Sequence, residues 1–252
     1  MLKLLVESTL NEFVETAGGE LIEKTLPNND GLKRADYLFR SPLIVAELKC
    51  LEHEIITPER NQKLGPLAHS WMRRRLIPVQ FGGTQTLELR KLPKICQDEW
   101  LELYEKPIQR ILEKANQQIK EAKGSLGLLE SKGVLLVANE RQFTTPPEDL
   151  ITFIARILQK KKPDGKPVFS NLHHVVLFSI NVQAVTAEHP GGIFIWLSGY
   201  RDLPPDPIVK KFLTEFGDSL FRFCAAKRGH IHAPVQLGGK IDGLRFVNSK
   251  PD

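Results

Sequence analysis

A chain of 252 residues that is 41% hydrophobic and 26% charged has ordinary globular composition, and is long enough for one large domain or a core with an extension. Its formal net charge of +5 suits a polyanionic partner without singling one out. Three cysteines at irregular spacing (Cys50, Cys96, Cys224) give no disulfide framework, and no run of 18 apolar residues occurs, so a reducing, cytoplasmic setting with no membrane association is expected.

Residues 3–17 are predicted as an amphipathic helix. Val6, Leu10, Phe13, Val14 and Ala17 recur at about 100° per residue, and Gly18-Gly19 end the run. Glu12 and Glu15 face away from this stripe. Glu7 sits at its edge and is the helix carboxylate best placed to look inward. The apolar run of the opening, MLKLLVESTLNEF, is too short for a signal peptide.

Glu20 to Leu26 reads as a strand. Asn28-Asn29-Asp30-Gly31 reads as a hairpin turn, because Asn, Asp and Gly tolerate positive φ. Leu32 to Phe39 returns, and Leu43 to Leu51 makes a third strand, completing a meander. The second hairpin carries the charges that need a reason. With its loop centred between Ser41 and Pro42, Arg40 opposes Leu43 and Asp36 opposes Glu47, and opposed residues project to one face. Alternation puts Lys49 on that face too, with Leu48 behind. Glu23, on the first strand, falls on the same face.

Charged side chains are rarely buried unless paired or metal-bound. One reading is an oxygen-ligand site for Mg²⁺, which keeps several waters for substrate and so suits metal-assisted phosphodiester hydrolysis. The other is a salt bridge, with Lys49 neutralising Asp36 and Glu47 on a half-wet sheet face. Glu-x-Lys recurs at Glu121–Lys123 and Glu130–Lys132, in a predicted helix and turn. Only the Glu47 copy follows an apolar strand, Leu43-Ile44-Val45-Ala46.

Residues 52–106 show no single pattern. Pro58 to Arg75 reads as helical with a basic end, and Val79 to Leu92 as a hairpin or a loop plus strand. Arg73, Arg74, Arg75 and Lys91 are the candidate grip on a phosphate backbone, against the plainer reading of a solvated helix end.

Pro107 is expected to open a helix to about Lys123, stopped by Gly124. Its stripe is Ile108, Ile111, Leu112, Ala115, Ile119 and Ala122. Gln118 lies inside that stripe and needs a hydrogen-bonding partner there. Lys114 flanks it. Gly133 to Asn139 reads as a buried strand. A helix over Pro147–Lys161, strands over Leu172–Val185 and Gly192–Ser198, a helix over Ile208–Ala226 and an irregular tail from Gly229 complete the chain. His173-His174 and His230-Ile231-His232 have no Cys or carboxylate at ligand spacing, so zinc is not expected.

The order helix, three-strand meander, helix, strand, with Asp36 in KRADYLF and Glu47-Leu48-Lys49 in IVAELKCLE, resembles the PD-(D/E)xK nuclease superfamily over about residues 3–51 and 107–139. The resemblance implies an α/β fold with a mixed sheet. An αβββαβ restriction-endonuclease-like core would fill residues 1–140 with an insertion at 52–106, and residues 141–252 would form an α/β extension packed on that core or continuous with it. It implies a Mg²⁺-dependent nuclease (Mn²⁺ substituting), with DNA as the expected nucleic acid, in defence or repair. Asp36 and Glu47 would ligate one or two ions together with the Leu48 carbonyl, and Lys49 would position water or stabilise phosphate charge. Gln118, within KANQQIKEAK, and Lys114 beside it would join the site, and Glu7 matches the first-helix Glu that family members often use. The family includes members that have lost cleavage, so a non-catalytic nucleic-acid-binding or assembly module with a structural Asp/Glu/Lys cluster is the alternative. Homo-oligomerisation is left open.

Overall fold

Continuous apolar strands flanked by one-faced helices can bury both sheet surfaces only under helices on either side. The computed structural model, which describes residues 3–26, 33–55, 57–78, 91–229 and 244–247, has that layering. In chain order the elements are α1 (Val6–Thr16), β1 (Glu20–Leu21), α2 (Ile22–Thr25), β2 (Tyr37–Arg40), β3 (Leu43–Leu51), α3 (Pro58–Asn61) and α4 (Leu64–Arg73). There follow α5 (Lys94–Leu126), β4 (Lys132–Asn139), α6 (Pro147–Leu158), β5 (His174–Phe178), β6 (Gln183–Val185), β7 (Trp196–Tyr200), α7 (Pro207–Lys227) and β8 (Arg245–Val247). A mixed six-stranded sheet runs β1-β2-β3-β4-β5-β7, with β3-β4-β5 parallel and the outer pairs antiparallel. β5 and β7 therefore extend the same sheet that begins at residue 20. β6 and β8 form a separate pair.

Alternation sorts the side chains into two cores. Val45, Leu135, Val137, Val175 and Leu177 face Ile108, Leu112, Ala115 and Ile119 of α5 and Leu150, Ile154 and Ile157 of α6. Ile44, Ala46, Val134, Leu136, Val176 and Phe178 face α1 and α7. The Phe stripe of α7 is core: Phe216 lies 4.9 Å from Phe13 and 5.3 Å from Phe39, ring centre to ring centre.

Several expectations are corrected. Glu20–Leu26 is not one strand. Ile22 and Leu26 are spaced for a helical turn, and the Leu26 N–H donates to the Ile22 carbonyl at 2.8 Å, so the strand ends at Leu21. The helix expected from Pro107 begins at Lys94, with Pro107 inside it. Pro interrupts a helix by lacking an N–H and crowding the preceding turn, at about 3 kcal/mol. That cost is outweighed here because the buried stripe continues upstream through Tyr104 to Cys96. The same helix passes Gly124 and ends at Gly127, whose φ of 68° is the left-handed C-cap, with the Leu128 N–H donating to the Lys123 carbonyl at 2.8 Å. The 52–106 insertion is accordingly shorter than expected, since its end, from Lys94, is the first part of α5. Pro58–Arg75 divides into two helices, Leu172–Val185 into β5 and β6, and the expected 192–198 strand lies at Trp196–Tyr200. The Asn28–Gly31 turn and residues 79–90 lie outside the described residues.

Gly133 is a position where only glycine fits. A Cβ there would meet the Asn171 carbonyl oxygen at 1.8 Å, and the Asn171 N–H is itself tied to Asn116 Oδ1 at 2.9 Å. Backbone held on both sides cannot step aside. Gly133→Ala is expected to cost about 3 kcal/mol, lowering the melting temperature by roughly 6–12 °C for a chain of this size. An unchanged melting temperature would contradict this packing.

Candidate functional site at the start of β2 and the end of β3

The β2–β3 hairpin has the register read from the sequence, with Arg40 opposite Leu43 and Tyr37 opposite Ala46. The Ser41–Pro42 peptide is cis, which places Pro at the third position of a type VI turn. The regular ladder stops one pair short of the charged residues. Asp36 lies just outside β2, and its N–H donates at 3.2 Å to the Ala46 carbonyl, the residue that Tyr37 already faces. Two residues thus address one, the local pattern of a β-bulge, which re-aims a side chain. The Asp36 carboxylate continues the ladder where the backbone cannot: its Oδ2 accepts the Leu48 N–H at 2.7 Å.

Asp36, Glu47 and Lys49 share the sheet face covered by α5, as Leu38, Val45 and Leu51 do. Lys49 donates through Nζ to Glu47 Oε1. Glu47 is 1% exposed, while the Lys49 side chain retains 26%. Glu47 Oε2 is buried with no hydrogen-bond partner. Burial, then the neighbouring Asp36 charge, pushes the Glu47 carboxyl up to about 8, against the pull of Lys49. Burial also raises the Asp36 carboxyl, opposed by the Leu48 N–H and by Lys49. The two carboxyls stand within reach of a shared hydrogen bond. When both are ionised, the two carboxylates repel and Glu47 Oε2 has no donor. One positive charge between them, a proton or a metal ion, removes both penalties.

A cleft of about 270 Å³ opens onto Asp36. Its polar lining is Glu7 and Asn11 from α1, Glu23 from α2, Lys33, Arg34 and Asp36 from the segment before β2, and Gln118 from α5. The three outer residues named from sequence, Glu7, Glu23 and Gln118, all lie here. Glu7 raises the Asp36 carboxyl by its charge. Glu23 comes from a helical turn rather than from a strand. Gln118 turns its amide to the chain: Nε2 donates to the Arg34 carbonyl at 3.2 Å and anchors the segment that carries Asp36. Asn11 Oδ1 accepts the Tyr37 hydroxyl at 2.8 Å. Lys114 is exposed and does not line the cleft.

The basic group of the insertion is not part of this arrangement. Arg73, Arg74, Arg75 and Lys91 are exposed, and none lines the cleft. Arg74 is committed to Glu99 at 2.7 Å, and Glu99 also accepts the indole N–H of buried Trp71 at 2.8 Å. This pins α4 on α5. Asn11, Lys33 and Arg34 went unread in the sequence. Lys33 and Arg34 could have been found there as the two cations immediately before Ala35-Asp36.

A bound cation is testable on donor chemistry. Among the described residues no group of three or more His, Cys, Asp or Glu side chains could hold a metal ion. The available donors are two carboxylates and a carbonyl. The Leu48 N–H points to Asp36, and in a strand the carbonyl of the same residue points to the same edge, so the Leu48 oxygen faces that side as well. An orphaned carboxylate oxygen and an all-oxygen set fit Mg²⁺, which needs few protein ligands and completes its shell with water. The described histidines offer nothing comparable. His173 Nδ1 accepts the Gly133 N–H at 3.0 Å, and burial keeps His173 and His174 neutral, at about 3 and about 4. His230 and His232 lie outside the described residues. No helix among the described residues is long and apolar enough to cross a membrane.

No protein-family model, curated protein or solved structure matches the chain.

Proposed function

We propose that the chain is a Mg²⁺-dependent nuclease that hydrolyses phosphodiester bonds of nucleic acid, with DNA as its substrate, on a restriction-endonuclease-like core. One observation carries the reading. Asp36 and Glu47 converge on a point that needs one positive charge, beside Lys49 and the Leu48 peptide, next to a cleft lined by further polar groups. Asp36, Glu47 and the Leu48 carbonyl would hold the ion. Bound there, Mg²⁺ supplies a lowered water pKa and offsets charge on the phosphate. Lys49, whose side chain keeps more solvent contact than that of Glu47, orients water or holds a phosphate oxygen from the strand end. Gln118 fixes the Asp36 segment through Arg34.

A second reading is favoured by the sealing of Glu47 and its ion pair with Lys49. On that reading the cluster is structural, and the chain is a non-catalytic nucleic-acid-binding or assembly module on the same fold. Incubation of the purified chain with plasmid DNA, single-stranded DNA and RNA, each with Mg²⁺, Mn²⁺ or EDTA, separates the two. The nuclease reading expects cleavage of DNA with either metal and none in EDTA. Intact substrates under every condition support the structural cluster.

A further inference from the structure

The cleft beside Asp36 is not uniformly acidic. Its carboxylates come from α1, α2 and Asp36, while Lys33 and Arg34 supply two cations from one short segment. That segment is held in place rather than loose. The Arg34 carbonyl accepts Gln118 Nε2 at 3.2 Å, Arg34 Nε donates to Ser125 Oγ at 3.2 Å, and the Asp36 backbone is bonded to both Ile22 and Ala46. Lys33 is exposed, with no hydrogen bond or ion pair among the described residues. The carboxylates alone repel a phosphate, whereas the two cations attract one, so a polyanion is drawn to the Lys33–Arg34 segment beside Asp36.

We infer that Lys33 and Arg34 grip the backbone phosphates flanking the one presented to Asp36, and that this segment, rather than the Arg73–Arg75 cluster, is the chain's principal nucleic-acid contact. The inference rests on the nuclease reading for the identity of the ligand. The physical logic is that of a strand-tracking cationic groove. Phosphate contacts fix register without reading sequence, and each releases counterions, so binding depends on salt. Arg34, whose Nε is held by Ser125, adds a fixed positive charge at the same place. Lys33 adds a mobile point charge.

The test is binding of fluorescein-labelled oligothymidylate to the full chain in EDTA, across a potassium chloride series, with a single-stranded RNA of equal length as a second arm. Lys33→Ala and Arg34→Ala are each expected to lower the slope of log affinity against log salt by about 0.7. The triple change Arg73→Ala, Arg74→Ala, Arg75→Ala and the control Lys211→Ala, on α7 across the sheet, are expected to move it by less than either. Arg34→Ala removes a contact to Ser125. Lys33→Ala, which removes none, therefore keeps the test decisive should the Arg34 variant misfold. Wild-type affinity and slope in Lys33→Ala would overturn the inference, as would a slope carried by Arg73–Arg75 or the absence of binding by the wild type. Slope loss on both arms in a chain that cleaves nothing with Mg²⁺ would uphold this grip while rejecting the nuclease reading.

Discussion

Replacing Asp36, Glu47 or Lys49 with alanine is expected to lower Mg²⁺-dependent cleavage by about 10³-fold or more, a loss typical of removing one preorganised charged group from a reacting centre. The three variants fail for different reasons. Asp36→Ala removes the carboxylate that opens to the cleft and also frees the Leu48 N–H, bonded at 2.7 Å. Leaving that donor unpaired costs about 1–3 kcal/mol. Asp36→Asn keeps an acceptor for it and isolates the charge. Glu47→Ala takes away the second carboxylate, and Lys49, already a quarter exposed, can turn to water without a buried charge being stranded. Lys49→Ala deprives Glu47 of the cation that draws its carboxyl downward, so Glu47 holds its proton more tightly. Circular dichroism and melting curves should show all of them folded. Cleavage that survives in all three would place any nuclease activity elsewhere.

Stability should also fall as pH rises, which is unusual for a carboxylate. Glu47 is held up to about 8, against 4.5 for the unperturbed group. Between those values the folded chain keeps a proton that the unfolded chain has released. Its contribution is therefore complete below the unfolded value and disappears as pH climbs through the folded one. Asp36 shifts in the same direction and adds to it. In metal-free buffer the expected loss from pH 5 to pH 8 is on the order of 3 kcal/mol, or roughly 6–12 °C in melting temperature. Glu47→Gln, neutral at every pH, should flatten most of this profile. Mg²⁺ competes with the proton for the same oxygens, so its stabilising effect should grow with pH. A flat wild-type profile, or one equally steep in Glu47→Gln, would contradict the placement of the charge.

The hairpin was legible because short-range rules decide it. Ser41-Pro42 fixes the turn, and period-two alternation then puts Asp36, Glu47 and Lys49 on one face. The bulge at Asp36 was not legible, since it depends on which backbone groups Ala46 and Leu48 have left to offer. Nor was the sealing of Glu47, which depends on how the helices pack over its sheet face. The early start of α5 had a signal: Cys96, Trp100, Tyr104 and Ile108 step by four through Pro107. Proline was read as a beginning because that is its common place, whereas burial of the stripe outweighs its cost. Glu23 changed element but not neighbourhood, because a helical turn and a strand end at the same point bring it to the same cleft. The basic run Arg73–Arg75 looked functional in isolation. The pairing of Arg74 with Glu99, which Trp71 shares, emerges only once α4 packs on α5.

The nuclease reading makes the charge needed between Asp36 and Glu47 a catalytic metal ion. It is met most directly by measuring the initial rate of plasmid cleavage as Mg²⁺ is titrated from zero, with the wild type and Asp36→Asn side by side and matched for folding. The nuclease reading predicts a rate that rises and saturates with Mg²⁺ in the wild type and stays at background in Asp36→Asn. A rate independent of Mg²⁺, or the same in both proteins, would contradict it.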